Sequence, residues 1–360
     1  MLFLFGGALA VLVLYSTLLG WGWRRARPED HPAISDDEEP PLSVIVAVRN
    51  EDDTLPRLLD ALDQQTHPAH EVVIVDDAST DDTGAIAARW AEAHDHAQVV
   101  RVTDPQPPRK KHALTQGIEA ATHDLLAITD ADCEPPPGWL SGLAAAHAAT
   151  EDACVLVGYS PLRGSGLLGS FARYETLVEL LYAVAAIEGN RPYMAVGRNL
   201  SYPRSVFEAV GGFSHSEQSM SGDDDLFVQA VHRHTDAAVR PVLNSRTFVP
   251  SAPPDSWREW VQQRRRHVSA GRHYPADVGL HLTLLHASLV LVWLAPLVLG
   301  KLGLGLLATG LLARHSALGP AADALDEPSL LAVFPLWELG LALYHVTIVP
   351  VGLLSPPEDW

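Results

Sequence analysis

Cysteine is scarce: Cys133 and Cys154 are the only two in 360 residues. Two thiols provide no disulfide framework and fit a reducing compartment. Several catalytic signatures are missing as well. No G-x-G-x-x-G follows the first strand-like run, where Arg49-Asn50-Glu51-Asp52 stands instead, so a dinucleotide-dependent oxidoreductase is disfavoured. There is no P-loop, no G-x-S-x-G elbow, no H-E-x-x-H helix and no internal repeat. Basic residues are in deficit, 25 Lys and Arg against 44 Asp and Glu, for a net charge of −19. That balance argues against a nucleic-acid binder, which must neutralise phosphates with Lys and Arg.

Charge is absent altogether from some stretches. Residues 1–23 carry none, residues 279–300 carry none with their His neutral, and residues 329–354 carry only Glu338. About 20 apolar residues cross a bilayer, so these read as two clean spans and one less pure. A shorter fourth run, 302–318, is interrupted by Arg314 and His315. The first segment lacks the basic start and small-residue cleavage site of a secretory signal. Arg24, Arg25 and Arg27 follow it, and the positive-inside rule keeps them in the cytoplasm. The chain is therefore expected to have an N-terminal anchor (1–23), an acidic solvated linker (24–40), a cytoplasmic domain (41–275) and a membrane region (279–354) with two or three helices.

Strand-like and helical patterns alternate between the spans. Leu42–Val48, Glu71–Val75, Gln98–Val102 and Asp124–Thr129 read as strands, with helical patterns over 52–65, 81–95 and 111–121. The alternation predicts an α/β fold with a parallel sheet and helices on both faces, and ligands bind beyond the carboxyl ends of such strands. Three strands end there on polar residues: Arg49-Asn50-Glu51, Asp76-Asp77 and Asp130-Ala131-Asp132. Residues i and i+2 of an extended segment share a face, so Asp130 and Asp132 can enter one pocket. Two like charges so close need a cation. Hard carboxylate oxygens together with diphosphate oxygens suit Mg²⁺ or Mn²⁺.

The segments SVIVAVRNE (43–51), VVIVDDASTDDT (72–83), KKHALTQGIEAA (110–121) and ITDADCEPPPGWL (128–140) resemble the successive motifs of family-2 glycosyltransferases with a GT-A, Rossmann-like fold. AVGRNLSYPRSVFEAVGGF (195–213) resembles their acceptor-side segment, and SGDDDLFVQAV (221–231) the segment with the catalytic base. QRRRH (263–267) resembles the QxxRW motif of membrane-bound members, with His267 in place of Trp.

The resemblance implies that Asp76 or Asp77 reads the nucleobase of a UDP- or GDP-sugar. Lys111, with Lys110 as a rival, lies near the diphosphate. Asp130 and Asp132 hold the metal, and Gln263 and Arg266 lie toward the pyrophosphate. Arg198, Asn199 and Asp223 fall on the acceptor side, and Asp224 is the general base by register with the family's acidic pair, with Asp223 and Asp225 competing for that role or capping the following helix. Arg264 and Arg265 are expected to meet lipid headgroups. The helical pattern over 168–188, too polar to span, suits either the membrane surface or a core. Glu338 and His345, seven residues apart on one face of the last span, are expected to pack against other helices. The implied activity is inverting sugar transfer to a lipid or lipid-linked acceptor at a membrane. Loss of the motif's Trp argues against the alternative of a processive polysaccharide synthase. A non-catalytic nucleotide-sugar-binding module is the alternative of another class, and the intact D-x-D and late Asp argue against it.

Overall fold

The computed structural model describes residues 1–26, 39–150 and 152–355, so the acidic linker expected over 24–40 lies largely outside the described residues. These residues form two compact units. One is built from the chain between the linker and Arg163 and from Arg191–Ala252; the other comprises Met1–Ala26, Gly164–Asn190 and the chain from Pro253 onward. The domain expected over 41–275 is thus divided, with residues 164–190 and 253–275 falling in the second unit.

In the first unit, strands and helices alternate as the sequence pattern predicts: β1 (Leu42–Val48), α2 (Leu55–Leu62), β2 (His70–Asp76), α3 (Thr83–Glu92), β3 (Ala97–Arg101), α4 (Arg109–Ala120), β4 (Leu125–Asp130), α5 (Trp139–Ala148) and β5 (Cys154–Gly158). The unit resumes with β6 (Leu200–Pro203), α7 (Arg204–Ala209), α8 (Asp225–His234) and β7 (Ala238–Val242). The seven strands lie in the order β3-β2-β1-β4-β6-β5-β7. The sheet is mixed rather than wholly parallel. β1 to β4 are mutually parallel, whereas β6 runs antiparallel to both β4 and β5.

All seven residues of β1 are buried, as a strand covered on both faces requires. Val44, Val46 and Val48 join Leu55, Leu58, Trp139 and Leu143 in the core on one face. On the other face α4 lies against the sheet at Gly117, where a Cβ would fall 2.6 Å from Ile45 Cγ2 and 2.8 Å from Val75 Cγ2. Register then sets the site. Val48 pairs with Asp76 and Ala47 with Asp130, so the acidic ends of β2 and β4 flank the end of β1 at one edge. A helix that returns from a parallel strand begins at this same edge, which brings the N-terminus of α4 and its basic run there.

The second unit is helical: α1 (Leu2–Ala26), α6 (Gly166–Glu188), α9 (Trp257–Ser269), α10 (Ala276–Leu299), α11 (Lys301–Ala324) and α12 (Phe334–Leu354). Among the described residues, Leu2–Ala26, Ala276–Leu299 and Pro328–Leu354 are long and apolar enough to cross a membrane. The helical run 168–188 belongs to α6, whose polar side chains are largely consumed in pairs. Arg264 of α9 lies 2.8 Å from Glu175 and 3.4 Å from Glu179, and the Trp260 indole donates to Glu175 at 3.0 Å. Arg264 is therefore buried in an ion pair and not exposed to headgroups, contrary to the expectation for that arginine. Glu338 of α12 is likewise paired with Arg314 of α11 at 2.7 Å, and both are almost wholly buried.

Candidate active site

The first two strand ends are stitched together before any ligand is considered. Asn50 adopts φ 54°, a left-handed conformation that Asn tolerates, and its Oδ1 accepts the Thr80 N–H at 2.8 Å. The Ser79 hydroxyl accepts the Asn50 N–H, and the Thr83 hydroxyl accepts that of Glu51 at 2.7 Å. Asp76 accepts the Ser79 N–H at 3.0 Å, and α3 comes close behind it at Gly84, where a Cβ would sit 2.5 Å from Asp76 Oδ2. Asp77 is fully buried. Arg109 clamps it, with Nε donating to Oδ2 at 2.8 Å and a guanidinium N–H donating to the Asp77 carbonyl at 2.7 Å.

The central feature is Lys110. Its Nζ lies 2.9 Å from Asp130 Oδ1 and 2.9 Å from Asp223 Oδ2. One ammonium thus joins the first carboxylate of the D-x-D turn to the acidic run before α8. Burial opposes its charge, but the two carboxylates raise its pKa above the ordinary lysine value. Burial likewise opposes the charge on Asp223, yet Lys110 and its hydrogen bond hold that carboxyl below the usual range.

Lys111, expected beside the diphosphate, is directed elsewhere. Its amine donates to the carbonyls of Ser216 (2.7 Å), Ser219 (3.0 Å) and Ser221 (2.8 Å), which uses all three N–H donors of an ammonium. Burial depresses its pKa from 10.5 to about 8, against the pull of Asp223, Asp225 and Asp224. The loop that it holds leads through Gly222, at φ 85°, into the acidic run. A Cβ on Gly222 would lie 2.6 Å from Leu226 Cδ1, so the turn needs glycine for both conformation and space.

Asp224, expected as the base, is the N-cap residue of α8. Oδ1 accepts the Asp225 N–H at 2.7 Å and Oδ2 accepts the Gly197 N–H at 3.0 Å. Asp224 thus occupies the cap position, and Asp225, in the first turn as expected, accepts the Leu226 N–H at 2.7 Å. Burial and the charge on Asp223 push its pKa up. Asn199 is fully buried. Its amide donates to the carbonyls of Tyr159 (2.9 Å) and Thr247 (2.7 Å), and its oxygen accepts the Trp139 indole N–H at 3.0 Å. It is a structural cross-link instead of an open acceptor contact. Arg198, next to it, donates to the Ser251 hydroxyl at 3.3 Å, and that hydroxyl donates to Asp132 Oδ2 at 2.8 Å. Gln263 and Arg266 lie on α9 of the helical unit.

Among the described residues no three His, Cys, Asp or Glu side chains form a metal cage by themselves. Asp130 and Asp132 do supply hard oxygens at one turn. Burial, and then the nearby Asp132 and Asp130 charges, raise the Glu51 pKa against its Thr54 hydrogen bond. This negative field has Lys110 as its neutralising partner at Asp130. Such a site fits an ion that completes its shell with phosphate oxygens and water.

A Rossmann-like sheet with helices on both faces, a D-x-D turn at its carboxyl edge and a second acidic run brought to the same cation define a GT-A-type nucleotide-diphospho-sugar fold. Residues 43–208 match the family described as Glycosyl transferase family 2.

A probable glycosyltransferase of Bacillus subtilis is 24% identical over 245 residues, covering 66% of this chain and 56% of that protein. A beta-monoglucosyldiacylglycerol synthase of Synechocystis is 25% identical over 228 residues, covering 58% and 45%. The chain spans about half the length of these two relatives. Among solved structures, a mannosyltransferase from Pyrobaculum calidifontis in complex with GDP-Man and Mn²⁺ is 23% identical, with a TM-score of 0.61 and coverage of 99% of this chain and 100% of that one. This likeness bears on the fold.

Proposed function

We propose that this family-2 domain is an inverting glycosyltransferase that moves a sugar from a nucleoside-diphosphate donor to a lipid or lipid-linked acceptor at the cytoplasmic face of a membrane. The observation that carries the reading is Lys110 shared between Asp130 and Asp223. A carboxylate suited to the donor's diphosphate and one suited to an acceptor's proton stand one ammonium apart. Support for the acceptor class comes from the three helices able to cross a membrane. It comes too from the names of two relatives, the Synechocystis synthase and an undecaprenyl-phosphate 4-deoxy-4-formamido-L-arabinose transferase of Sodalis glossinidius that is 33% identical over 99 residues.

Asp130 and Asp132 would hold Mg²⁺ or Mn²⁺, which when bound supplies Lewis-acid stabilisation to the leaving diphosphate. Lys110 offsets charge on the same group, in the place first expected of Lys111. Asp76, with Asp77 fixed by Arg109, lines the nucleobase side. Arg198 borders the acceptor side.

The base is assigned to Asp223 in preference to Asp224. Both oxygens of Asp224 already accept backbone N–H groups, whereas Asp223 is held ionised beside the D-x-D turn. In this reading Asp223 takes the acceptor hydroxyl's proton as that oxygen attacks the sugar carbon opposite the departing diphosphate. A positioned base contributes about 10²–10⁴-fold.

The test is incubation of membranes containing the protein with a panel of UDP- and GDP-sugars and Mg²⁺ or Mn²⁺, followed by mass analysis of the lipid extract. One glycosylated lipid, formed from one donor, is expected. Tight nucleotide-sugar binding without transfer to any lipid would favour the non-catalytic module.

A further inference from the structure

Ser251 has no role in the scheme above, yet the fold fixes it unusually firmly. Its N–H donates to the Pro161 carbonyl at 3.0 Å, and its own carbonyl accepts the Arg163 N–H at 2.8 Å. On either side, Val249 N–H donates to the Tyr159 carbonyl at 3.0 Å and the Pro250 carbonyl accepts the Glu134 N–H at 2.9 Å. The segment therefore forms bridges to Cys133 and to Leu162, directly after the D-x-D turn and after β5. Only 2% of Ser251 is exposed, so its hydroxyl must satisfy itself within the protein. It donates to Asp132 Oδ2 at 2.8 Å and accepts from Arg198 Nη1 at 3.3 Å. Arg198 is itself held by the backbone, since its carbonyl accepts the Thr129 hydroxyl at 2.9 Å.

This chain does something specific to Asp132. Ser251 fixes one of its two carboxylate oxygens, and among the described residues the other meets only a long thiol contact, 3.6 Å from Cys133 Sγ. Accepting from Arg198 turns the hydroxyl proton away from the guanidinium, and of the two acceptors in reach the charged Asp132 Oδ2 at 2.8 Å is favoured over the Ala252 carbonyl at 3.4 Å.

We propose that Ser251, oriented by Arg198, is a positioning residue for the divalent-metal subsite: it presets the rotamer of Asp132 so that Oδ1 is presented to the ion. The inference rests on the reading of Asp130 and Asp132 as the metal carboxylates. Groups that hold a metal ligand in place typically contribute 10–100-fold to metal affinity.

The test is Mn²⁺ binding by the full-length protein in detergent, read as free Mn²⁺ by paramagnetic resonance with GDP or UDP present. Ser251→Ala is expected to raise the Mn²⁺ Kd about 10-fold or more. Ser251→Thr, which keeps the hydroxyl, should stay within about threefold of the native value, below that range. Ser251→Cys keeps the volume but is a weak donor. It should follow the alanine variant, and it carries the test if Ser251→Ala does not fold. An unchanged Kd in both Ser251→Ala and Ser251→Cys, with the native protein binding Mn²⁺, overturns this inference alone. Absence of Mn²⁺ binding in the native protein with either nucleotide overturns the metal reading, and this inference with it. Equal weakening by Ser251→Thr would show that packing rather than the hydroxyl matters, and also overturns it.

Discussion

At the scale of single residues, the site turns on two choices between adjacent side chains. Successive residues of a helix point about 100° apart, so Lys110 and Lys111 at the start of α4 lead to different places. One bridges two carboxylates, and the other fills a nest of three carbonyls. No pattern in KKHAL distinguishes them, because both are basic and both precede the same apolar positions. Asp223 and Asp224 pose the same problem, and the contacts that distinguish them, the Gly197 N–H and the Lys110 ammonium, come from segments far away in the chain. The position of the D-x-D pair at the end of β4 was legible, since it depends on local pattern alone. Turnover and nucleotide binding in three single variants will test the assignment. Asp223→Asn should lose about 10²–10⁴-fold in turnover while still binding donor. In Asp224→Asn one of the two backbone N–H groups must face an amide, so a loss of about 1 kcal/mol of stability is expected, visible as a lower Tm. Should Asp224→Asn abolish turnover at unchanged Tm while Asp223→Asn remains active, the base is Asp224.

At the scale of elements, the parallel half of the sheet was readable and the mixed half was not. β1 to β4 are continuous apolar runs separated by helical periods, a pattern set by burial on both faces. β6 is four residues long and follows a tight turn inside AVGRNLSYP; only its pairing with β4 and β5 makes it a strand. The loop before α8 gives a pH-dependent expectation. A neutral Lys111 amine has two donors for three carbonyls, so the loop loses a hydrogen bond as pH rises through about 8. Turnover should fall on that alkaline limb, and the limb should vanish in Lys111→Arg, which stays charged. Stability follows the opposite sign. With the folded pKa below the ordinary 10.5, the penalty for burying the charge is present in full below about pH 8 and is relieved between there and 10.5. Tm should therefore rise as turnover falls. In the helical unit, Glu175→Ala removes a partner of buried Arg264 and the acceptor of Trp260. A loss of about 3–5 kcal/mol is expected from thermal unfolding in detergent.

At the scale of the whole molecule, orientation in the membrane is the open quantity. By the positive-inside rule the Arg24, Arg25 and Arg27 cluster leads us to expect residue 40 on the cytoplasmic side, so a reporter active only in the cytoplasm should be active when fused there. Activity of an extracellular-type reporter at that position would reverse the topology. The two helical pairings that remove charge from solvent, Arg264 with Glu175 and Arg314 with Glu338, were beyond the reach of the sequence. Each joins residues from different helices, 89 and 24 positions apart (264 − 175 and 338 − 314). The second pair also bears on how the chain is made. Arg314 leaves the ribosome 24 residues before the only carboxylate it contacts among the described residues. A lone arginine at the centre of a membrane helix costs about 2.5–3.5 kcal/mol on insertion scales. α11 is not among the helices apolar enough to cross a membrane by themselves, and with Arg314 unpaired any entry of α11 into lipid is uphill until α12 emerges, so biogenesis should favour holding the two helices at the insertion machinery and releasing them as a pair.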